Sequence, residues 1–211
     1  MTVINAETVI LQAASPEQPE LAAELIHATE PHIFGYLHGH DMALLRSHLG
    51  FQWQQTDSLF SHRFCTAAMH DGALAGIEIG YGVAEQEQAA GAMIEHAMTH
   101  MTEAQFAHMA TWFEHGHYVL PPVPDDAWYL QHLAVVPQAR GRGVGERLLA
   151  NALERSREAG FSRVLLDLYA ENPARSLYER MGFEVIVETL VKPLIEHGIP
   201  LHLRMERKLQ R

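Results

Sequence analysis

Residues 140–145 read RGRGVG and lie between an apolar run and an amphipathic one, where a strand would lead into a helix. Closely spaced glycines let the backbone approach a ligand without interference from Cβ atoms, and the free amides at a helix N-terminus favour an anion. The two arginines of the segment add positive charge. The segment therefore predicts a phosphate or pyrophosphate site. Its expected residues are Arg140, Gly141, Arg142, Gly143, Val144 and Gly145.

The spacing of these glycines limits the kind of phosphate ligand. A dinucleotide-binding turn needs G-x-G-x-x-G, and a nucleoside-triphosphate loop ends in Gly-Lys-Ser/Thr. The segment has neither pattern. Taken alone, it is also compatible with a plain glycine-rich turn between a strand and a helix.

A second segment, residues 172–183, reads NPARSLYERMGF. Asn172 is suited to cap a helix, Pro173 to occupy its first position and Gly182 to end it. On this short helix Tyr178 lies one turn after Ala174, on the same face. The segment therefore predicts a short, well-delimited helix that carries a tyrosine at a fixed place.

Together the two segments resemble the GNAT superfamily of acetyl-CoA-dependent N-acetyltransferases. The family pattern Arg/Gln-x-x-Gly-x-Gly/Ala fits residues 140–145, and the later block Asn-x-x-Ala-x-x-x-Tyr, followed by Gly-Phe, fits residues 172–183. One irregularity is the register at the alanine, where Arg175 stands at the usual position and Ala174 one position earlier. The resemblance is strongest over residues 128–188.

The resemblance implies a mixed, partly splayed central β-sheet that opens between the strands at 128–136 and 163–169. Acetyl-CoA, the co-substrate, would lay its pantetheine arm in this opening like an added strand. The backbone groups expected to pair with the arm belong to Leu133, Ala134 and Val135. Asn172 is expected to contact the arm or to act only as the helix cap, and Arg175 to reach the phosphates of CoA.

Acetylation of an amine requires a neutral amine, its attack on a thioester carbonyl and a proton for the departing thiolate. Tyr178 is the candidate acid, because a phenol pKa of ~10 lies above a thiol pKa of ~8.5; the alternative is a tyrosine that only packs under the cofactor. The base is open. His132 titrates in a suitable range, Glu78 lies on a neighbouring strand, either one could face the other side of the sheet, and a water chain could replace both.

The elements that must position these residues follow from the hydrophobic pattern. From residue 128 onward, strand and helix patterns alternate, which indicates an α/β fold with a mixed sheet. The Asp-Gly pair at 71–72 between two apolar runs predicts a β-hairpin. Residues 84–117 contain no proline and predict two helices, at about 85–100 and 103–115.

The length of 211 residues fits one domain, since domains have ~100–200 residues. We predict a single domain over residues 1–211, with the acetyl-CoA-binding core at 128–188 and a helical insertion at 84–117. The insertion could cover the acceptor pocket as a lid or form a dimer interface, and the sequence does not choose between them.

His96 and His100 have the spacing at which two imidazoles on a helix can bind one metal ion. A zincin helix needs His-Glu-x-x-His, whereas this segment reads HAMTH and no third ligand is indicated. We therefore predict no metal site and interpret both residues as exposed or interface histidines.

Composition excludes several classes of protein. With 15 Lys and Arg against 26 Asp and Glu, the net charge is −11, which disfavours binding to nucleic acid or to an anionic membrane. The single cysteine, Cys65, excludes an intrachain disulfide and a cysteine-rich metal site. The absence of an 18-residue apolar run and of a basic leader pattern completes the prediction of a cytoplasmic protein.

Together with the composition, the resemblance implies an N-acetyltransferase that moves an acetyl group from acetyl-CoA to a primary amine of a small molecule or peptide by direct attack in a ternary complex. The acidic balance favours a cationic acceptor, such as a polyamine, an aminoglycoside-like amine or a basic peptide terminus. A homodimer is left open. The alternative is a non-catalytic acyl-CoA-binding sensor or interaction protein on the same fold.

Overall fold

The central β-sheet determines where the predicted site residues lie. The computed structural model describes residues 3–209, and within them the sheet has seven strands in the order β1-β2-β3-β4-β5-β7-β6. The strands are β1 (Ile10–Ala13), β2 (Cys65–His70), β3 (Ala73–Gly82), β4 (Ala127–Val135), β5 (Arg163–Tyr169), β6 (Glu184–Thr189) and β7 (His202–Lys208). The helices are α1 (Pro19–Thr29), α2 (Pro31–Leu37), α3 (Met42–Gln54), α4 (Val83–His100), α5 (Glu103–Ala110), α6 (Trp112–Val119), α7 (Val144–Glu158), α8 (Arg175–Arg180) and α9 (Lys192–Ile195).

Neighbouring strands are antiparallel except β4 and β5, which are parallel and pair over a short stretch. Their ladder joins Ala127 through Tyr129 to Arg163 through Leu165 and goes no further. The remaining parts of both strands diverge. The mixed α/β class and the predicted splay of the sheet are therefore confirmed.

The hairpin predicted at residues 71–72 connects β2 to β3. Asp71 and Gly72 both have positive φ angles, of 48° and 80°. Positive φ at both central residues matches the right-handed twist of the strands that a two-residue loop connects. The hairpin places β3, which is buried over almost its whole length, beside β4 in the middle of the sheet.

A β-bulge in β4 interrupts its ladder with β3. Ile79 pairs with His132, and the next residue, Gly80, pairs with Leu130, so Gln131 is the extra residue. The hydroxyl of Tyr81 donates a hydrogen bond to the Gln131 side chain. Bulges of this kind re-aim side chains and are frequent beside functional sites.

The insertion contains three helices, α4, α5 and α6, so the prediction of two helices was wrong. The first boundary was correctly expected, because Thr102 and Gln105 form a capping box there. The second lies at Thr111, whose hydroxyl donates to the carbonyl of His108 at 2.7 Å and accepts from the hydroxyl of Tyr36 at 2.7 Å. Side-chain bonds of this kind compete with helix continuation.

Helices pack on both faces of the sheet. Arg155 of α7 bonds to Glu78 on one face, and Thr29 at the end of α1 bonds to His132 on the other. None of the helices described in residues 3–209 has the length and apolar character needed to cross a membrane.

Candidate active site

A cavity of about 910 Å³ occupies the opening between β4 and β5 and continues beneath α1, α2 and the insertion helices. The predicted residues that line it are His132, Leu133, Ala134, Val135, Arg140, Gly141, Gly143, Gly145, Asn172 and Tyr178. The predicted residues outside its lining are Glu78, Arg142, Val144 and Arg175. One continuous space therefore joins the glycine-rich turn to the two candidate proton-transfer groups.

The turn has the backbone shape of an anion cradle. Gly141 and Gly143 have φ angles of 68° and 79°, in a region that favours glycine. Helix α7 begins immediately afterwards at Val144, and the amides of a first helical turn have no intrahelical acceptor. Val144 itself is completely buried and does not line the cavity.

Two of the predicted basic residues do not face the cavity. The Arg142 carbonyl accepts a hydrogen bond from the Ala6 amide at 3.0 Å. Arg175 donates from Nε to Glu179 at 2.8 Å, four residues along the exposed side of α8. Arg180, which sequence reasoning missed, lines the cavity instead. Its position four residues after Ser176, another lining residue, is the helical spacing that could have identified it.

Asn172 lies two residues before the N-cap of α8, which is Ala174, so the predicted capping position was wrong. Its Oδ1 accepts from the Ala174 amide at 2.9 Å, just before α8 begins. Its Nδ2 donates to the carbonyl of Thr29 at 3.3 Å, which ties the start of α8 to the end of α1. The expected contact with a pantetheine arm stays a prediction.

His132 lies on the cavity wall in a defined tautomer. The Thr29 hydroxyl donates to the carbonyl of Ile26 at 2.7 Å and lies 2.8 Å from Nδ1 of His132. Because a hydroxyl has one hydrogen, Nδ1 is assigned the imidazole proton and donates it to Thr29. Nε2 then carries a lone pair and, among the described residues, has no hydrogen-bond partner. Burial lowers the pKa of His132 to about 3, so the ring is neutral.

Tyr178 combines the two roles that the sequence leaves open. Its ring packs edge-on against Phe183 at a centroid distance of 5.8 Å, as expected of a packing tyrosine. It also lines the cavity, and burial raises the pKa of its phenol well above the ordinary value. The hydroxyl is therefore protonated at neutral pH.

Glu78 lies on the opposite face of the sheet from His132. It pairs across the ladder with Leu133, the neighbour of His132, and adjacent residues of a strand face opposite sides. Its carboxylate accepts from Arg155 at 3.0 Å, and burial raises its pKa to about 7. The geometry does not support the prediction of Glu78 as a base at the acetyl group.

A buried ion pair on the cavity wall was missed by sequence reasoning. Arg204 donates from Nε and Nη2 to the two oxygens of Asp167, at 2.9 and 2.7 Å. The hydroxyl of Tyr129 donates to the same carboxylate at 3.0 Å, and the carbonyl of Pro122 accepts from Arg204 at 2.8 Å. The carboxylate of Asp167 within the apolar stretch of β5 was the available signal.

The two spaced histidines of α4 bond to different partners. His96 lies 2.8 Å from the Asp57 carboxylate, and His100 lies 2.9 Å from the Ser47 hydroxyl and stacks on Phe51. They fasten α4 to α3 and the residues that follow it. Over residues 3–209 no group of three or more histidine, cysteine or acidic side chains is arranged to hold a metal ion.

The splayed sheet, the glycine-rich turn and the tyrosine of α8 are the combination that the family resemblance implied. A family model described as an acetyltransferase (GNAT) domain matches residues 64–185, which is more than half of the chain. The chain belongs to the GNAT acetyltransferase family.

Individual relatives agree with this assignment. The chain is 40% identical over 62 residues to the uncharacterized N-acetyltransferase YjgM of Escherichia coli K12, a match that covers 29% of this chain and 37% of that protein. An N-acetyltransferase structure from Staphylococcus aureus Mu50 has a TM-score of 0.71 at 15% identity and covers 94% of this chain and all of its own.

A third relative is the N-acetylglutamate synthase from Neisseria gonorrhoeae, solved in complex with coenzyme A and N-acetylglutamate. It has a TM-score of 0.52 at 21% identity, and the match covers 96% of this chain and 35% of that one. At these identities the two solved structures show that the fold is shared.

Proposed function

We propose that the protein is an N-acetyltransferase, which transfers the acetyl group of acetyl-CoA to a primary amine by direct attack in a ternary complex. The observation that carries this proposal is the single cavity that runs from the glycine-rich turn, past Tyr178 and His132, to the space beneath the insertion. A thioester that enters from the turn and an amine that enters from the other end would meet at these two side chains.

The residues at the turn fit a CoA co-substrate. The positive-φ glycines and the first amides of α7 form a cradle for an anion, and Arg140 and Arg180 lie on the same cavity wall. The edge of β4 that faces β5 has no strand partner beyond Tyr129, which leaves room for an extended arm. The coenzyme A complex of the gonococcal synthase supports the same choice.

His132 is suited to accept the proton of the attacking amine. Thr29 holds the hydrogen on Nδ1, so the buried Nε2 atom carries an unshared lone pair, which an amine that displaces the groups covering it would meet. An amine is a weak acid before it reacts and a stronger one once its nitrogen bonds to the acetyl carbon. A neutral imidazole can take up the proton at that stage, although its own pKa is low.

Tyr178 is suited to supply a proton to the leaving group. As the new C–N bond forms, the C–S bond breaks and its electron pair stays on sulfur. Donation from the Tyr178 hydroxyl converts the thiolate into the CoA thiol; His132 then releases the amine proton to water and the phenolate takes a proton up, which restores both groups. The products are an N-acetylated amine and CoA.

The test is an assay of thiol release from acetyl-CoA over a panel of primary amines, with mass spectrometry of the amine. We expect CoA and N-acetylated amine in a one-to-one ratio for at least one class of amine. Tight binding of acetyl-CoA without release by any amine would contradict the proposal and favour the non-catalytic sensor.

We also propose a cytoplasmic location and a small-molecule or peptide acceptor, with no nucleic acid or membrane partner. The net charge of −11 and the single, buried Cys65 support these choices. A homodimer is left open, and light scattering of the purified protein would determine the oligomeric state.

A further inference from the structure

The wall of the cavity away from the glycine-rich turn is mainly apolar, and the insertion contributes a substantial part of it. The large apolar side chains that line this end include Phe34, Ile94, Phe106, Met109, Trp112 and Phe113. Helices α2, α4, α5 and α6 supply them. An acceptor bound here would bury its body against aromatic and aliphatic groups.

The carboxylates of this wall already have cationic partners. Asp167 is held by both nitrogens of the Arg204 fork. Glu30 bonds through Oε2 to Nε2 of His202 at 3.1 Å, and this bond raises the pKa of His202 and so favours the imidazolium. Oε1 of Glu30 has no hydrogen-bond partner among the described residues, but it is buried.

The histidines of the wall add no charge. His38 and His48 are bonded to each other, at 2.9 Å between Nε2 and Nδ1, and burial lowers the pKa of both. Gln52 donates to His48 and to the carbonyl of Met93, each at 3.0 Å. These bonds also hold α4 against α3.

The apolar wall is fastened on its other side as well. His108 of α5 lies 2.7 Å from the carbonyl of Tyr36, and the Tyr36 hydroxyl donates to Thr111 between α5 and α6. The insertion is therefore attached to both α2 and α3, and its apolar side chains form a fixed pocket. A fixed apolar pocket selects by size and hydrophobicity.

We propose that the acceptor is a primary amine with a bulky apolar body, an alkyl or arylalkyl chain that packs against the insertion. This inference rests on the proposed acetyltransferase function and names its substrate class. A polyamine or an aminoglycoside would bury additional ammonium groups against a wall whose carboxylates are already paired, which is costly. The acidic balance of the whole chain predicted such cations, whereas the cavity wall favours an uncharged body with one reactive amine.

The test measures kcat/KM at saturating acetyl-CoA for n-alkylamines from propylamine to heptylamine, for 2-phenylethylamine, and for spermidine and kanamycin. We expect kcat/KM to rise by roughly fourfold per methylene as each one is buried. The value for 2-phenylethylamine should exceed the values for both polycations. A flat alkylamine series, or a preference for spermidine or kanamycin, would overturn the inference and leave the proposed function intact.

Calorimetry of amine binding to the CoA-bound protein tests the apolar pocket independently of catalysis. Heptylamine should bind more tightly than propylamine and spermidine whether or not turnover occurs. Heptylamine binding no tighter than propylamine binding would overturn the apolar pocket. If heptylamine binds in this order but no amine is acetylated, the substrate-like pocket is supported and the catalytic function is contradicted.

Two methionines of the insertion provide a matched pair of variants. Met109 lines the cavity, whereas Met98 is 58% exposed and does not line it. We expect Met109→Gln to lower kcat/KM for heptylamine by about tenfold, with a much smaller change for propylamine and for the KM of acetyl-CoA. Met98→Gln should change none of these values. Equal losses for both amines in Met109→Gln would contradict a role in packing the acceptor.

Discussion

Thr29 determines what His132 can do. Its hydroxyl accepts from Nδ1 of His132, and its carbonyl accepts from Asn172, so one residue at the end of α1 connects the candidate base to the start of α8. Partners of this kind fix the tautomer and orientation of a histidine. We therefore assign Thr29 the role of a positioning residue.

Replacing the hydroxyl tests this role. In Thr29→Val the Nδ1–H of His132 loses its acceptor, and the proton is no longer confined to Nδ1. We expect kcat to fall by about tenfold, as for other residues that orient a functional histidine, with little change in the KM of acetyl-CoA. Thr29→Ser keeps the hydroxyl and should restore most of kcat. Equal losses in both variants would contradict the positioning role.

The phenol of Tyr178 is tested by Tyr178→Phe. Without a proton donor for the thiolate, kcat should fall by about a hundredfold, while the KM of acetyl-CoA changes little because the packing against Phe183 is kept. Tyr118→Phe, at a position that is 57% exposed, serves as the control. Unchanged turnover in Tyr178→Phe would remove this tyrosine as the acid.

Sequence reasoning reached most of the candidate site residues but could not orient all of them. The glycines of the turn and Tyr178 are determined by local spacing. Whether His132 or Glu78 faces the cavity depends on the register between β3 and β4, and no local pattern states that register. The role of Thr29 and the pairing of Asp167 with Arg204 depend only on tertiary contacts.

Among the elements, the start of α7 depends most clearly on a single glycine. The positive φ of Gly143 turns the chain so that the first helical amides follow the turn directly. A Cβ atom on Gly143 would also lie 3.2 Å from that of Ala6. The backbone conformation therefore favours glycine, and an added Cβ would also crowd a close neighbour.

Gly143→Ala should weaken the binding of acetyl-CoA. An alanine at this φ is strained by about 1 kcal/mol and displaces the amides of the turn. We expect the KM of acetyl-CoA to rise about tenfold in steady-state assays, with kcat largely kept. Gly160→Ala, at φ 86° beyond the other end of α7 and with nothing within 4 Å of the added Cβ, imposes the same kind of backbone strain. The same rise in KM in both variants would indicate a general loss of stability.

The elements themselves were predictable where local signals decide them. The hairpin at 71–72 has the favoured turn residues, and the strand at 163–169 is bounded and strongly apolar. The division of the insertion into three helices was not predictable, because Thr111 bonds to Tyr36, 75 residues earlier in the chain. A contact between residues so far apart in the sequence cannot be detected in a short sequence window.

At the scale of the whole molecule, the buried charges have different consequences from the charges on the surface. The net charge of −11 reflects the whole chain, whereas Asp167 and Glu30 on the cavity wall are matched by Arg204 and His202. Net charge therefore predicts little about the acceptor. Buried carboxyls should, however, be visible in the dependence of stability on pH.

Glu78 provides that test. Burial raises its pKa from 4.5 to about 7, so its contribution to stability is full below pH 4.5 and is lost as pH rises through about 7. Glu78→Gln cannot ionise. The free energy of unfolding of both proteins can be measured by urea denaturation. The value for the variant minus the value for the original protein should increase by up to about 3 kcal/mol from pH 5 to pH 8. The same difference at both pH values would contradict a raised pKa.

A crystal structure with acetyl-CoA bound would test most directly whether the opening between β4 and β5 is the site of acetyl transfer. We predict that the pantetheine arm lies in this opening, that the pyrophosphate contacts the amides of residues 140–145, and that the thioester sulfur is within hydrogen-bond reach of the Tyr178 hydroxyl. An acetyl-CoA molecule whose thioester lies away from Tyr178 and His132 would contradict the proposed mechanism.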